Sequence, residues 1–119
     1  MYLLKIYDLY NIERKYLVLL NDKILLNYPF VKYLNVSHNP KITNVNHMHN
    51  LIKLNASYFS EISDYSIRDL NLITLYTDDN YKITNVNHMN KLTVLYARGD
   101  SGINDNGSLV CFSKLSNPH

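Results

Sequence analysis

The sequence predicts an α/β solenoid with one parallel sheet along one side, and three observations carry that expectation. The run Lys41-Ile42-Thr43-Asn44-Val45-Asn46-His47-Met48 returns letter for letter as Lys82-Ile83-Thr84-Asn85-Val86-Asn87-His88-Met89. A marker of Ile, a small polar residue and then Asn or Asp recurs twice as often, as Ile42-Thr43-Asn44, Ile62-Ser63-Asp64, Ile83-Thr84-Asn85 and Ile103-Asn104-Asp105. Eight and six positions before each marker stand the pairs Leu34 and Val36, Leu54 and Ala56, Leu75 and Thr77, Leu95 and Ala97. Repetition at a period of about 20 residues belongs to arrays of stacked units, none of which can bury its apolar face without a neighbour.

Each unit is expected to contribute one short strand. Alternation at Leu34 and Val36 has period two, which puts both side chains on one face and leaves Tyr33, Asn35 and Ser37 on the other. Stacked turns about 4.8 Å apart align such strands into a parallel sheet, with Ile42, Val45, Met48 and Leu51 closing the core behind it. Three positions before each marker stand Asn39, Phe59, Asn80 and Asp100. A buried Asn39 or Asn80 can donate to and accept from the loop backbone as the chain leaves the sheet, and Asp100, turned inward, can do half of that.

Written as Val31-x-x-Leu34-x-Val36-x-x-Asn39-x-x-Ile42-x-x-Val45-x-x-Met48, the unit resembles the leucine-rich repeat, at the short end of its usual length. The resemblance runs from about Val31 to Leu109 and rests on four tandem units that agree in spacing. It implies a horseshoe fragment with the sheet on the concave side and an irregular or short-helical convex side. The duplicated Asn-Val-Asn-His-Met wording is also similar to repeat proteins of giant DNA viruses. Phe59 and Thr77 depart from the family pattern, in the asparagine ladder and in the apolar strand column.

The ends are less regular. Residues 1–30 read as a strand and helix cap, 31–109 as four repeats, and 110–119 as a truncated repeat or tail. At the start, Leu4-x-Ile6-x-x-Leu9-x-x-Ile12 fits the strand spacing, with Leu17, Leu20 and Ile24 at helical spacing and a stop at Asn27-Tyr28-Pro29. Taking Leu20-Asn21-Asp22 as the first marker is the other register and moves the first strand. Near the end, Leu115 stands one period after Leu95, as though a further unit began there. An open parallel edge exposes unpaired backbone groups, so self-assembly through that edge into a homo-oligomer is one expectation.

Bulk properties narrow the function classes. The 119 residues are 46% hydrophobic and carry a formal charge of +2, with no basic block to track phosphates, so a nucleic-acid ligand is not expected. The single Cys111 excludes an internal disulfide, no apolar run approaches the roughly 18 residues of a membrane span, and no signal peptide opens the chain. A cytoplasmic setting is the expectation, within the host cell if the protein is viral. The acceptor-like triplets at Asn35, Asn55 and Asn106 are accordingly expected to stay unmodified.

No catalytic or metal constellation emerges. His47 and His88 are equivalent positions of the duplicated unit, and His47 with His49 supplies two ligands where zinc wants three or four. Asp64, Asp78 and Asp79 lack calcium-loop spacing. Arg98-Gly99-Asp100-Ser101 spells an integrin-binding tetrapeptide by coincidence, and Ser101 has no histidine base in reach of its turn. No cofactor is expected, and no enzyme.

The remaining chemistry lies on the outward strand positions: Tyr33, Asn35 and Ser37; Lys53, Asn55 and Ser57; Thr74, Tyr76 and Asp78; Val94, Tyr96 and Arg98. Aromatic and arginine side chains carry disproportionate binding energy, so the expected partner-binding residues are Tyr33, Asn35, Lys53, Asn55, Tyr76, Asp78, Tyr96 and Arg98. The resemblance implies protein binding, as the recognition part of an adaptor, while fold alone names no partner.

Overall fold

A computed structural model describes residues 6–103 and contains one open sheet of five parallel strands in the order β1-β2-β3-β4-β5. The strands are β1 (Asp8–Leu9), β2 (Tyr33–Asn35), β3 (Lys53–Asn55), β4 (Thr74–Tyr76) and β5 (Val94–Tyr96). Sequence neighbours are sheet neighbours, as expected when each turn of chain lies beside the one before it. The pairing puts Leu9, Leu34, Leu54, Leu75 and Leu95 in one row across all five strands. All five are buried, and each such leucine contributes about 1.5–3 kcal/mol by leaving water.

Strands this short hold because the backbone ladder continues past them. Val36, Ala56 and Thr77 donate to the carbonyls of Asn55, Tyr76 and Tyr96 at 2.7–2.9 Å. Beyond that, His38, Tyr58 and Asp79 donate to Tyr58, Asp78 and Arg98 at 2.7–3.0 Å. The column two positions after the leucines is filled by Val36, Ala56 and Thr77, all fully buried, with Ala97 packed against the core. Thr77 breaks the apolar column without leaving its hydroxyl stranded, because Oγ1 donates to the Tyr96 carbonyl at 3.1 Å.

The back wall repeats as closely as the sequence does. Ile42, Val45 and Met48 are wholly buried and Leu51 is 5% exposed; Ile83, Val86, Met89 and Leu92 show the same four values. Each copy turns in the same manner. Asn44 and Asn85 accept from the backbone N–H two positions on, at 2.8 Å, forming the side-chain turn that asparagine favours. The intervening turn closes with a 3₁₀ segment, Tyr65–Ile67, and buries Ile62, Ile67, Leu70 and Leu72.

Polar bonds show that the structural unit is two turns long. Asp22 accepts from the Thr43 N–H, the Thr43 hydroxyl and the Asn44 N–H at 2.9, 2.7 and 3.3 Å. Asp64 accepts from Thr84 and Asn85 in the same way, at 2.8, 2.5 and 3.2 Å. An acceptor turn carrying Asp therefore alternates with a donor turn carrying Thr-Asn, which is why the near-identical copies occupy every second turn. Asp105 of the next marker lies outside the described residues, as do Leu4, Asn106, Leu109, Cys111 and Leu115.

The asparagine ladder alternates too, and here the structure corrects one expectation. Asn39 donates to the carbonyls of Leu17 and Leu20 at 3.0 and 2.9 Å, and Asn80 to those of Ala56 and Ile62 at 2.7 and 3.1 Å. Each asparagine satisfies the turn before its own. In the other two turns the inward position slips by one residue, to Ser60 and Ser101, whose hydroxyls accept from the N–H of Ile62 and Ile103 at 3.2 Å. Asp100 thus does not turn inward but is exposed, and Phe59 is 80% exposed.

At the N-terminal end Leu9 is the strand leucine, so Leu20-Asn21-Asp22 is the first marker and the register through Leu4 and Ile6 is not the one adopted. The expected single helix is two short helices, α1 (Arg14–Leu17) and α2 (Asp22–Leu25). Asn21 divides them, its extended backbone and its side-chain bond to the Ile24 N–H capping α2. Arg14 of α1 reaches the end of β2, donating to the Ser37 carbonyl and hydroxyl at 2.7 and 3.1 Å.

Candidate protein-binding face

The positions flanking the leucine row form two columns on the other side of the sheet. One runs Asp8, Tyr33, Lys53, Thr74, Val94; the other starts from Tyr10 and runs Asn35, Asn55, Tyr76, Tyr96, with register fixed by the strand pairing. In the second column Tyr76 and Tyr96 stack with ring centroids 4.5 Å apart and planes 7° from parallel. Parallel in-register strands hold equivalent side chains about one strand spacing apart, so two tyrosines at one level stack face to face. Both rings are half-buried.

Tyr10 extends that stack from the other end. Its hydroxyl bonds Asn55, and its ring lies 6.5 Å from that of Tyr76. By register it starts beside Asn35 and so crosses β2 on its way, which accounts for Asn35 being only 9% exposed. The short side chains of Asn35 and Asn55 leave the trough in which Tyr10 lies. Burial first, then the Tyr76 hydroxyl nearby, raise the Tyr10 pKa above the ordinary 10.0, against the lowering effect of the Asn55 bond. Tyr76 is raised for like reasons, burial followed by Tyr96.

Cations complete the ladder. Lys53 places its ammonium 4.3 Å from the Tyr10 ring centroid and 5.8 Å from that of Tyr76, while the Arg98 guanidinium sits 5.1 Å from Tyr96. Such contacts are attractive because the ring face is electron-rich. Arg98 is in turn held by Asp78, whose carboxylate accepts from Nη2 at 2.8 Å, from Nε at 3.3 Å and from the Arg98 backbone N–H at 2.8 Å. The fork raises the Arg98 pKa, the Asp78 bond being the largest cause.

The eight residues expected to bind a partner therefore divide by exposure. Tyr33 and Arg98 are exposed, and Lys53, Asn55, Tyr76 and Tyr96 are half-buried and reachable. Asn35 and Asp78 are buried, contrary to the outward position that strand alternation gives them. Asn35 is covered and turns its carbonyl oxygen to the N–H and hydroxyl of Ser37 at 3.0 and 2.6 Å; Asp78 is consumed by Arg98. Ser37 and Ser57 are buried as well, Ser57 accepting from the Asp78 N–H at 2.9 Å. Tyr10 is the residue the sequence reading missed. Once Leu9 is taken as the strand leucine, Tyr10 falls into the column of Tyr76 and Tyr96.

On the opposite side, His47 and His88 are exposed, and burial lowers the His47 pKa while Asp22 raises it less. Among the described residues no group of three His, Cys, Asp or Glu side chains gathers to hold a metal ion, and no helix is long and apolar enough to cross a membrane. No family model, no curated protein and no solved structure matches the chain.

Proposed function

We propose that the chain is a solenoid of the leucine-rich repeat type that works as a non-enzymatic protein-interaction module, binding its partner on the sheet face. The observation that carries this reading is the ladder Tyr10, Lys53, Tyr76, Tyr96, Arg98. Five large side chains lie in contact across the outward face, while the leucine row and the column of Val36, Ala56 and Thr77 are buried on the core side. Side chains mounted on a paired sheet lose little conformational entropy on binding, and tyrosine and arginine are the residues on which interfaces concentrate energy. In this reading the face is the concave wall of the array, and the setting is intracellular.

The test is affinity capture from the native cell with the unaltered chain and with the double variant Tyr76→Ala, Tyr96→Ala. The proposal expects one or a few proteins retained by the former and lost by the latter, with circular dichroism unchanged. Retention of the same proteins by the folded variant would refute it.

A further inference from the structure

A second recess lies off the sheet face, where the chain leaves the strands. It is a groove of about 580 Å³ lined by Tyr58, Phe59, Glu61, Asp79, Tyr81, Lys82 and Asp100 among others, within the size range of sites for small ligands and single side chains. Phe59 is 80% exposed and Tyr81 68%, so neither serves the core. The repeat does not demand them either. Tyr81 stands where the first copy has Pro40, and Phe59 where the later turn has Asp100.

Each turn has a left-handed residue four positions after its strand leucine, at His38 (φ 59°), Tyr58 (41°), Asp79 (55°) and Gly99 (66°), and Phe59 (58°) adds a second one here. The left-handed conformation is costly for residues with side chains, most of all for bulky ones. Phe59 is held in it with its ring largely in solvent, touching the fold through a tilted contact with the His38 ring at 5.8 Å. The charge on the groove is one-sided. Glu61, Asp79 and Asp100 face one cation, Lys82, which is already paired with Glu61. Asp79 gives Oδ1 to the Asp100 N–H at 2.8 Å, and the Asp100 carboxylate is exposed.

We infer that this groove receives an arginine side chain from a basic segment of a protein partner. Aromatic faces and carboxylates together suit a guanidinium better than an ammonium. It is planar, weakly hydrated, stacks on rings and takes two parallel bonds to a carboxylate, whereas lysine is a compact, strongly hydrated point charge. The groove adjoins the Arg98 end of the ladder, where the Asp79 N–H donates to the Arg98 carbonyl, but neither Tyr76 nor Tyr96 lines it.

The experiment is an NMR titration of the full chain with an acetylated, amidated glycine peptide bearing one central arginine, alongside matched peptides bearing citrulline or lysine. The expected result is amide shifts at Phe59, Asp79, Tyr81 and Asp100, with the neutral citrulline peptide weaker by about tenfold. Phe59→Ala and Asp100→Asn should each weaken arginine binding at an unchanged melting temperature, and Tyr76→Ala with Tyr96→Ala should leave it intact. Equal binding of citrulline, equal binding of lysine, shifts confined to other residues or no shifts at millimolar peptide would each overturn the inference.

Discussion

The Asp78 carboxylate binds Arg98 three times, through the backbone N–H, Nε and Nη2, and joins the ends of β4 and β5. The side chain of Asp78 is 6% exposed and that of Arg98 45%, so the two halves of this pair are not equivalent. Asp78→Ala leaves the Arg98 N–H without its partner and should cost about 1–3 kcal/mol in chemical denaturation. Arg98→Ala leaves a carboxylate that still accepts the backbone bond and should cost less. A larger loss for Arg98→Ala would contradict this division.

Gly99 follows Arg98 with φ of +66°, and a Cβ there would stand 2.1 Å from Asp79 Oδ1. Gly99→Ala should therefore destabilise by about 1–3 kcal/mol, through backbone strain and through the displaced carboxylate that holds the Asp100 N–H. Thermal unfolding of Gly99→Ala beside Asp79→Ala checks it. The two effects should be less than additive because both break the same bond.

How much of this was legible follows from which interactions have a period. The leucine row, the back wall and the asparagines at 39 and 80 recur at fixed spacing, and the structure places them as the spacing requires. The one-residue slip at Ser60 and Ser101 was not legible, because it leaves the repeat length unaltered; at Ser60 it accompanies a second left-handed residue, Phe59, directly after Tyr58. Burial of Asn35 and Asp78 was also hidden. Strand alternation assigns a side, but what lies over that side depends on Tyr10 and Arg98 in other turns. Tyr10 itself was lost with the register of the first strand.

Tyr10 supplies a direct check on that register. Tyr10→Phe keeps the ring contact with Tyr76 and removes the bond to Asn55, with an expected cost of about 1 kcal/mol. Asn55→Ala should cost a similar amount, and the double variant should cost little more than either alone. Independent, additive effects in urea unfolding would show that the two side chains do not meet.

Alkaline pH should weaken the fold through the same ladder. The Tyr10 and Tyr76 phenols have folded pKa values raised above 10.0, so the folded chain holds those protons more tightly than the unfolded chain does. Their contribution is whole below the unfolded value and is lost as pH rises through the folded values. Unfolding free energy measured from pH 9 to 11.5 should fall, and the double variant Tyr10→Phe, Tyr76→Phe should flatten that fall. An unchanged slope would mean that these phenols are not buried against each other.

The account rests on adjacent residues of one strand doing opposite jobs, leucine packing and tyrosine presenting. Urea unfolding of Leu75→Ala against Tyr76→Ala tests it most directly. Leu75 is fully buried and Tyr76 half-buried, so the account predicts a loss of about 2–5 kcal/mol for the leucine and about 1 kcal/mol for the tyrosine. Equal losses, or a greater one at Tyr76, would contradict it.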